Sequence, residues 1–466
     1  MRVSSGSAQK IAACVAAAAL TALAGPPGAA GPAPSAKPAV VRIYPQVRYP
    51  SRQASAAPGG GYTPAQIRAA YFVNPLLRSG ITGRGQSIVI VDSFGSPTIR
   101  HDLRVFDRTF ALPAPPAFLI IHPAGPIPGF RPGNQQMVSW AAETTLDVEW
   151  AHVMAPRARI VLVQTPVSEN EGTSGFPQIV KAEKYVIAHR LGGVISQSFG
   201  ATEQTFPKGT LAPLRGAYLQ AARPASNITV VSASGDFGAT DYQTSMSLLY
   251  TRQVTSWPAS DPLVTSIGGL NVRLNSRGIR TAPDRVWNDP GSPPGAGGGG
   301  RSVMFGRPAF QDRAAGVVRR HRGVPDLSMS ASCGHPVDVY QSFPGAAAGW
   351  TVICGTSEAT PLFAGVIALA DQAAGHPIGP IDGYLYKLAA RRDRGIVDIV
   401  RGANTVTFQQ GGRTVVVPGW RAVRGYDLSS GLGTINAHWF VADLAAMVKA
   451  RGAARRAGRL PIRLHG

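Results

Sequence analysis

The sequence predicts an α/β protein with a mostly parallel central sheet and helices on both faces. Two observations carry this expectation. Short apolar, β-rich runs at Ser87–Val91 (SIVIV), Ile160–Val163 (IVLV), Val194–Ser196 (VIS) and Ile228–Ser232 (ITVVS) alternate with helical stretches at Gln135–Met154, Gln178–His189 and Leu211–Ala222. Such alternation is the mark of a parallel sheet covered on both sides. Several runs also end in small-residue turns, SQSFG and SASGDFG. In open α/β sheets, ligand and reacting groups gather at those carboxyl ends of strands.

Taken in order, Arg2 and Lys10 flank an apolar stretch, Ile11–Ala24, that closes on Ala22-Leu23-Ala24. This reads as a signal peptide over residues 1–24, too short to span a bilayer. A secreted, extracellular protein is therefore expected. No other stretch is long and apolar enough for stable membrane association. Residues 25–60 are rich in Pro, Gly and Ala and read as a flexible linker. Order is expected to begin at Tyr62-Thr63-Pro64, where a threonine N-cap and a proline at the first helical position open a helix. Gly291–Gly300 (GSPPGAGGGG) reads as a glycine-rich surface loop, and residues 448–466 as a basic tail.

The chain has 466 residues, 44% hydrophobic and 15% charged, enough for a sizeable core. Lys and Arg number 46 against 25 Asp and Glu, a net charge of +21. The arginines are spread along the chain without a nucleic-acid module, so an Arg-rich solvated surface is expected and no nucleic-acid partner. Once the signal is removed, Cys333 and Cys354 remain. Export permits a bridge between them, closing a loop of about 22 residues worth roughly 3 kcal/mol; two buried thiols are the alternative.

The chemistry begins at ICGTSEATPLFAG, Ile353–Gly365, where a small-residue turn delivers Ser357 ahead of an apolar run. A serine hydroxyl needs a base. None of the nine histidines stands in a His-Gly-x-His pattern, so Asp92, at the end of IVIVD, has no histidine to orient. Glu143 and Asp147 are four residues apart, which on a helix places both carboxyls on one face. Such a pair can share a proton, one carboxyl acting as base while the other orients it. An isolated pair reads as a solvated acidic face. Here Trp140, Leu146, Val148, Trp150, Val153 and Met154 make the helix largely buried, where carboxylates are costly unless used or paired. Asp236 sits on a tight turn after an apolar strand. Protonated, it could donate to an oxyanion; alone, it reads as a turn residue bonding its own backbone. Glu358 places a charge directly after Ser357, facing either the site or solvent.

In order along the chain, the segments ETTLDVEWAHVMAP, SASGDFGA, SWPASDPLVTSIGG, GAGGGGRS, RGVPDLS, CGTSEATPLFAG, DIVRGAN and GYDLSSGLGTIN resemble the sedolisin family, the serine-carboxyl peptidases. The resemblance covers residues 61–447. It implies a subtilisin-like α/β fold and a secreted endopeptidase that hydrolyses protein or peptide substrates at acidic pH. Ser357 would be the nucleophile, Glu143 the general base, Asp147 its orienting partner and Asp236 the oxyanion donor. It further implies one Ca2+ ion, held by the side chains of Asp398 and Asp427 and the carbonyls of Ile399, Val423 and Gly425. Val423 stands where the family usually has glycine. Relatives commonly carry a long prosegment, whereas only residues 25–60 separate signal from core here. A monomer is expected. The rival readings are a relative that binds peptides in the same groove without cleaving them, and a basic surface-binding protein that works through its tail.

Overall fold

The computed structural model describes residues 44–45, 48, 54–167, 175–207, 209–245, 247–291 and 293–456. The expected signal peptide, most of the linker and the end of the tail lie outside the described residues. The chain enters through β1 (Tyr44–Pro45), α1 (Pro64–Ala70) and α2 (Asn74–Arg78). It then alternates: β2 (Ser87–Ser93), α3 (Ile99–Thr109), β3 (Phe118–Ile121), α4 (Gln135–Met154), β4 (Arg159–Thr165), α5 (Gly175–Ala188), β5 (Val194–Gln197), β6 (Phe199–Thr202), α6 (Leu211–Leu214), α7 (Gly216–Ala221) and β7 (Thr229–Ala233). Next come β8 (Ser256–Trp257), β9 (Thr265–Asn271), β10 (Arg285–Val286), β11 (Asn288–Asp289), β12 (Gly295–Ala296), β13 (Gly300–Gly306), α8 (Ala315–Val318) and β14 (His321–Val324). After β15 (Leu327–Ser330), β16 (Val337–Gln341) and β17 (Gly349–Ile353) come α9 (Thr356–Ala374), α10 (Asp382–Ala390) and α11 (Ala437–Arg456).

The main sheet runs β10-β9-β7-β5-β2-β4-β3, with β15 also paired to β9. Every pairing is parallel except that of β10, an antiparallel edge. Side chains alternate across a strand, and β2 shows how that builds two cores. Ile88 and Ile90 pack with α1, α3, α4, α9 and α11 on one face. Val89 and Val91 pack with α5 and α7 on the other. The expected mostly parallel sheet with helices on both faces is thus the observed fold.

The strand expectations each fall on an observed strand, and Gln135–Met154 is a single helix whose Asn134 side chain caps Gln136 and Met137. At α1, Thr63 and Gln66 form a reciprocal capping box with Pro64 in the first turn. Four readings need correction. Leu211–Ala222 is two short helices joined at Arg215, just before Gly216. Order starts before Tyr62: the segment read as a flexible linker is tied down by β1 on β6, by Arg48 on Cys354 and by Ser55 on Trp350. The residues read as a basic tail begin as helix, since α11 continues to Arg456 and Arg451 donates to the Tyr384 hydroxyl at 3.1 Å. The glycine-rich stretch also differs from its reading, because Pro294–Gly300 is buried. A Cβ on Gly298 would lie 2.8 Å from Gly235 Cα and closer still to Ser234 O, so this is glycine for close backbone approach.

Candidate active site

Ser357 sits in the first turn of α9, a helix buried throughout from Thr356 to Asp371, as an apolar all-round pattern requires. Gly355 makes the preceding turn at φ +122°, a conformation that favours glycine, and its N–H donates to Ala331 O at 2.9 Å. Cys354 and Cys333 are bonded, with Cα atoms 5.1 Å apart, which anchors this turn. Farther along, Gly365 lets α9 lie directly on α4: a Cβ there would sit 2.5 Å from Met154 Cβ and 2.9 Å from Ala151 O. The same contact brings the serine of one helix to the carboxyls of the other.

Glu143 and Asp147 face that contact, both wholly buried. The Ser357 hydroxyl donates to Ser198 O at 3.3 Å, and the Ser198 hydroxyl donates to Asp147 Oδ1 at 2.8 Å. Among the described residues neither Glu143 oxygen makes a hydrogen bond of full geometry, yet Ser357 is near enough to lower that carboxyl's proton affinity. The opposing effects are larger. Burial first, then Asp147, hold Glu143 well above the ordinary carboxyl range. Burial and Asp92 do the same to Asp147.

Asp236 follows β7. Its Oδ1 accepts from both the N–H and the hydroxyl of Thr356, each at 2.8 Å. Its Oδ2 is buried with no hydrogen-bond partner among the described residues. Burial pushes the carboxyl up to about 7 against the pull of Arg48 and Thr356. A neutral Asp236 therefore carries a proton on an oxygen with nothing to donate to, which suits a developing oxyanion.

Several members of this site escaped the sequence reading. Asp92, set aside there for want of a histidine, is buried at the end of β2, is raised to about 7 by burial, and adds its charge to the Glu143–Asp147 pair. The signal was available: a carboxylate ending an apolar parallel strand. Ser198 and Thr356 gave no such signal. Glu358 does not reach solvent; it is wholly buried and burial holds it well above the ordinary range, with Ser330 beside it.

Four of the residues expected to bind calcium also come together, Asp398 and Asp427 with Val423 and Gly425. Asp398 Oδ2 accepts from Gly425 N–H at 2.8 Å and Asp427 Oδ2 from Val423 N–H at 3.1 Å, so both carboxyls close on the loop 423–427. Ser429 and Ser430 also donate to Asp427. The donors are all oxygens, hard enough for Ca2+. Among the described residues no group of three or more His, Cys, Asp or Glu gathers to hold a metal. A cation here would thus rely on two carboxyls and backbone carbonyls.

The α/β frame sets a serine against buried carboxyls, and comparison with known proteins names the family. The chain is 30% identical to kumamolisin of Bacillus sp. (strain MN-32) over 397 residues, 83% of this chain and 64% of that protein. It is 26% identical to tripeptidyl-peptidase 1 of Canis lupus familiaris over 411 residues, 84% of this chain and 65% of that protein. With sedolisin of Pseudomonas sp. (strain 101) it shares 27% over 287 residues, 61% of this chain and 45% of that protein. The chain thus spans less than two thirds of the length of these relatives. The solved structure of Pseudomonas sedolisin complexed with two molecules of pseudo-iodotyrostatin superposes with a TM-score of 0.67 at 24% identity, covering 85% of this chain and all of that one. No family model matches the chain. Its homologues are sedolisin-type serine-carboxyl peptidases, and the chain is a member of the sedolisin family.

Proposed function

We propose that this protein is a secreted, monomeric serine-carboxyl endopeptidase that hydrolyses protein or peptide substrates at weakly acidic pH. The observation that carries the reading is the meeting of Ser357, the Glu143–Asp147 pair and the unpartnered oxygen of Asp236 in one buried site. In the proposed reaction Ser357 Oγ attacks the substrate carbonyl carbon while Glu143 takes its proton. Asp147 orients Glu143, and Asp92 completes the set of carboxyls among which protons are shared. Asp236 Oδ2 and backbone N–H donate to the oxyanion. Glu143 returns its proton to the leaving amine as the peptide C–N bond breaks. Water, deprotonated by Glu143, then attacks the acyl-serine carbonyl, and the ester C–O bond breaks as Glu143 returns that proton to Ser357 Oγ. A Ca2+ ion held by Asp398, Asp427 and the carbonyls of Ile399, Val423 and Gly425 would brace the 423–427 loop. Residues 1–24 would direct export; no helix among the described residues is long and apolar enough to cross a membrane.

The pH dependence follows from the signs of the shifts. Activity requires Glu143 ionised, and its burial beside Asp147 puts the acidic limb above the ordinary carboxyl value of about 4. It also requires Asp236 protonated, which puts the alkaline limb near 7. A pH–rate profile on a mixed peptide pool should give a bell between those limits, absent in Ser357→Ala. A profile rising through pH 8, or cleavage that survives Ser357→Ala, would sink the assignment.

A further inference from the structure

Upstream of the core, Tyr44–Pro45 and Arg48 pair with backbone on two sides of the candidate site. β1 pairs antiparallel with Phe199 and Gly200 of β6, next to Ser198, whose carbonyl holds the Ser357 hydroxyl. Three residues after Pro45, Arg48 forms an antiparallel bridge with Cys354. Arg48 N–H donates to Cys354 O at 3.0 Å, and Cys354 N–H donates to Arg48 O at 3.1 Å. Cys354 stands three residues before the nucleophile. The two walls therefore flank Ser357, with Tyr44–Pro45 on the β6 wall and, later in the chain, Arg48 on the Cys354 wall. In strand addition of this kind, main-chain bonds supply affinity and side-chain pockets supply selectivity.

The Arg48 side chain fills such a pocket. Its guanidinium carbon stands 4.5 Å from the centroid of the Phe237 ring, and Nη2 donates to Pro294 O. Gly295 leaves the space open, since a Cβ there would lie 3.0 Å from Arg48 Nη1. Burial weakens Arg48's hold on its proton, while Asp236, Tyr242 and Asp289 act in the opposite direction. A ring face, a carbonyl and Asp289, which pairs with Gly295 across the β11–β12 ladder, are partners for a planar cation, and offer nothing to an acidic side chain.

We infer that the pocket formed by Phe237, Pro294, Gly295 and Asp289, on the Cys354 side of Ser357, selects arginine in the peptide substrate within the first two residues after the cleaved bond. The inference rests on the peptidase reading above. The side follows from chain direction: a substrate lying as this segment does has its acyl part on the β6 wall and its leaving amine part on the Cys354 wall.

The test uses a dye-labelled peptide with the sequence of residues 43–51, carrying Arg, citrulline or Glu at position 48. Citrulline keeps the shape of arginine and loses the charge. Binding is read by fluorescence anisotropy on the full chain carrying Ser357→Ala and Arg48→Ala, so that nothing is cleaved and the pocket is free of its own arginine. The upstream segment competes equally with all three peptides and drops out of their ratio. The Arg peptide should bind about 10-fold or more tightly than the citrulline one, and Phe237→Leu should bring the ratio toward one. Equal binding of Arg and citrulline overturns the pocket. In parallel, the active full chain is given peptides with Arg, citrulline or Glu at each of the first two positions after the cleaved bond. Cleavage without an arginine preference overturns the selectivity and leaves the peptidase reading standing. No cleavage, with the binding ratio intact, overturns the peptidase reading and supports the pocket.

Discussion

Asp236→Asn replaces a carboxyl with a neutral amide of the same shape. The amide oxygen would still accept from the N–H and hydroxyl of Thr356, and the amide N–H2 would stand where protonated Oδ2 stands now. Burial raises Asp236 from 3.8 to about 7 in the folded protein. A folded pKa above the unfolded one means that the folded state keeps a proton the unfolded chain releases. This contribution to stability is fully present below the unfolded value and is lost as pH rises through the folded one. About three pKa units at about 1.4 kcal/mol each amount to about 4 kcal/mol. The group is fully buried, so solvent does not dilute the effect. The amide does not titrate. Asp236→Asn should therefore gain on wild type by about 4 kcal/mol between pH 4 and pH 8, in urea unfolding followed by tryptophan fluorescence. The alkaline limb of activity should move upward or vanish with it, because the amide remains a donor. A stability difference that stays flat across that range would refute the idea that Asp236 is held neutral by burial.

Two further outcomes are expected. Gly365→Ala forces a methyl against Met154 and Ala151 O where α9 rests on α4; overpacking of this kind costs about 1–3 kcal/mol, and activity should fall with stability because the same contact aligns Ser357 with Glu143. Unchanged unfolding midpoints would mean that the helices separate freely. Chelation of divalent ions should lower Tm in wild type, restored by Ca2+ and by Mg2+ poorly, and should do nothing in Asp398→Ala. A chelator that leaves wild-type Tm unmoved would show that Asp398, Asp427 and their loop stand without a cation.

Much of the fold was legible because it is local. The run SIVIV reads as a buried strand, and the stretch Gln135–Met154 reads as one helix, α4. The spacing of Glu143 and Asp147 is itself a helix property, so their shared face could be read without a structure. Errors occurred where distant chain decides. Pro294–Gly300 has loop composition, yet it is buried because the Ser234–Asp236 turn packs against it. Residues 25–60 have linker composition, yet Arg48 and Ser55 find open backbone partners at Cys354 and Trp350. The short run VIS–Q was legible as β5, but nothing in it announces that Ser198, one residue on, would join Asp147 to Ser357.

By itself the sequence determined which residue types were present to do chemistry and which stretches were strand or helix, since periodicity and capping act over a few residues. Only the tertiary structure decided how those groups ionise. Asp92 comes from β2, Glu143 and Asp147 from α4 and Asp236 from the turn after β7, and their proton affinities are set by shared burial and by one another. Desolvation is a property of everything that surrounds a group, so it exists only once α4, α9 and the sheet have closed around the site.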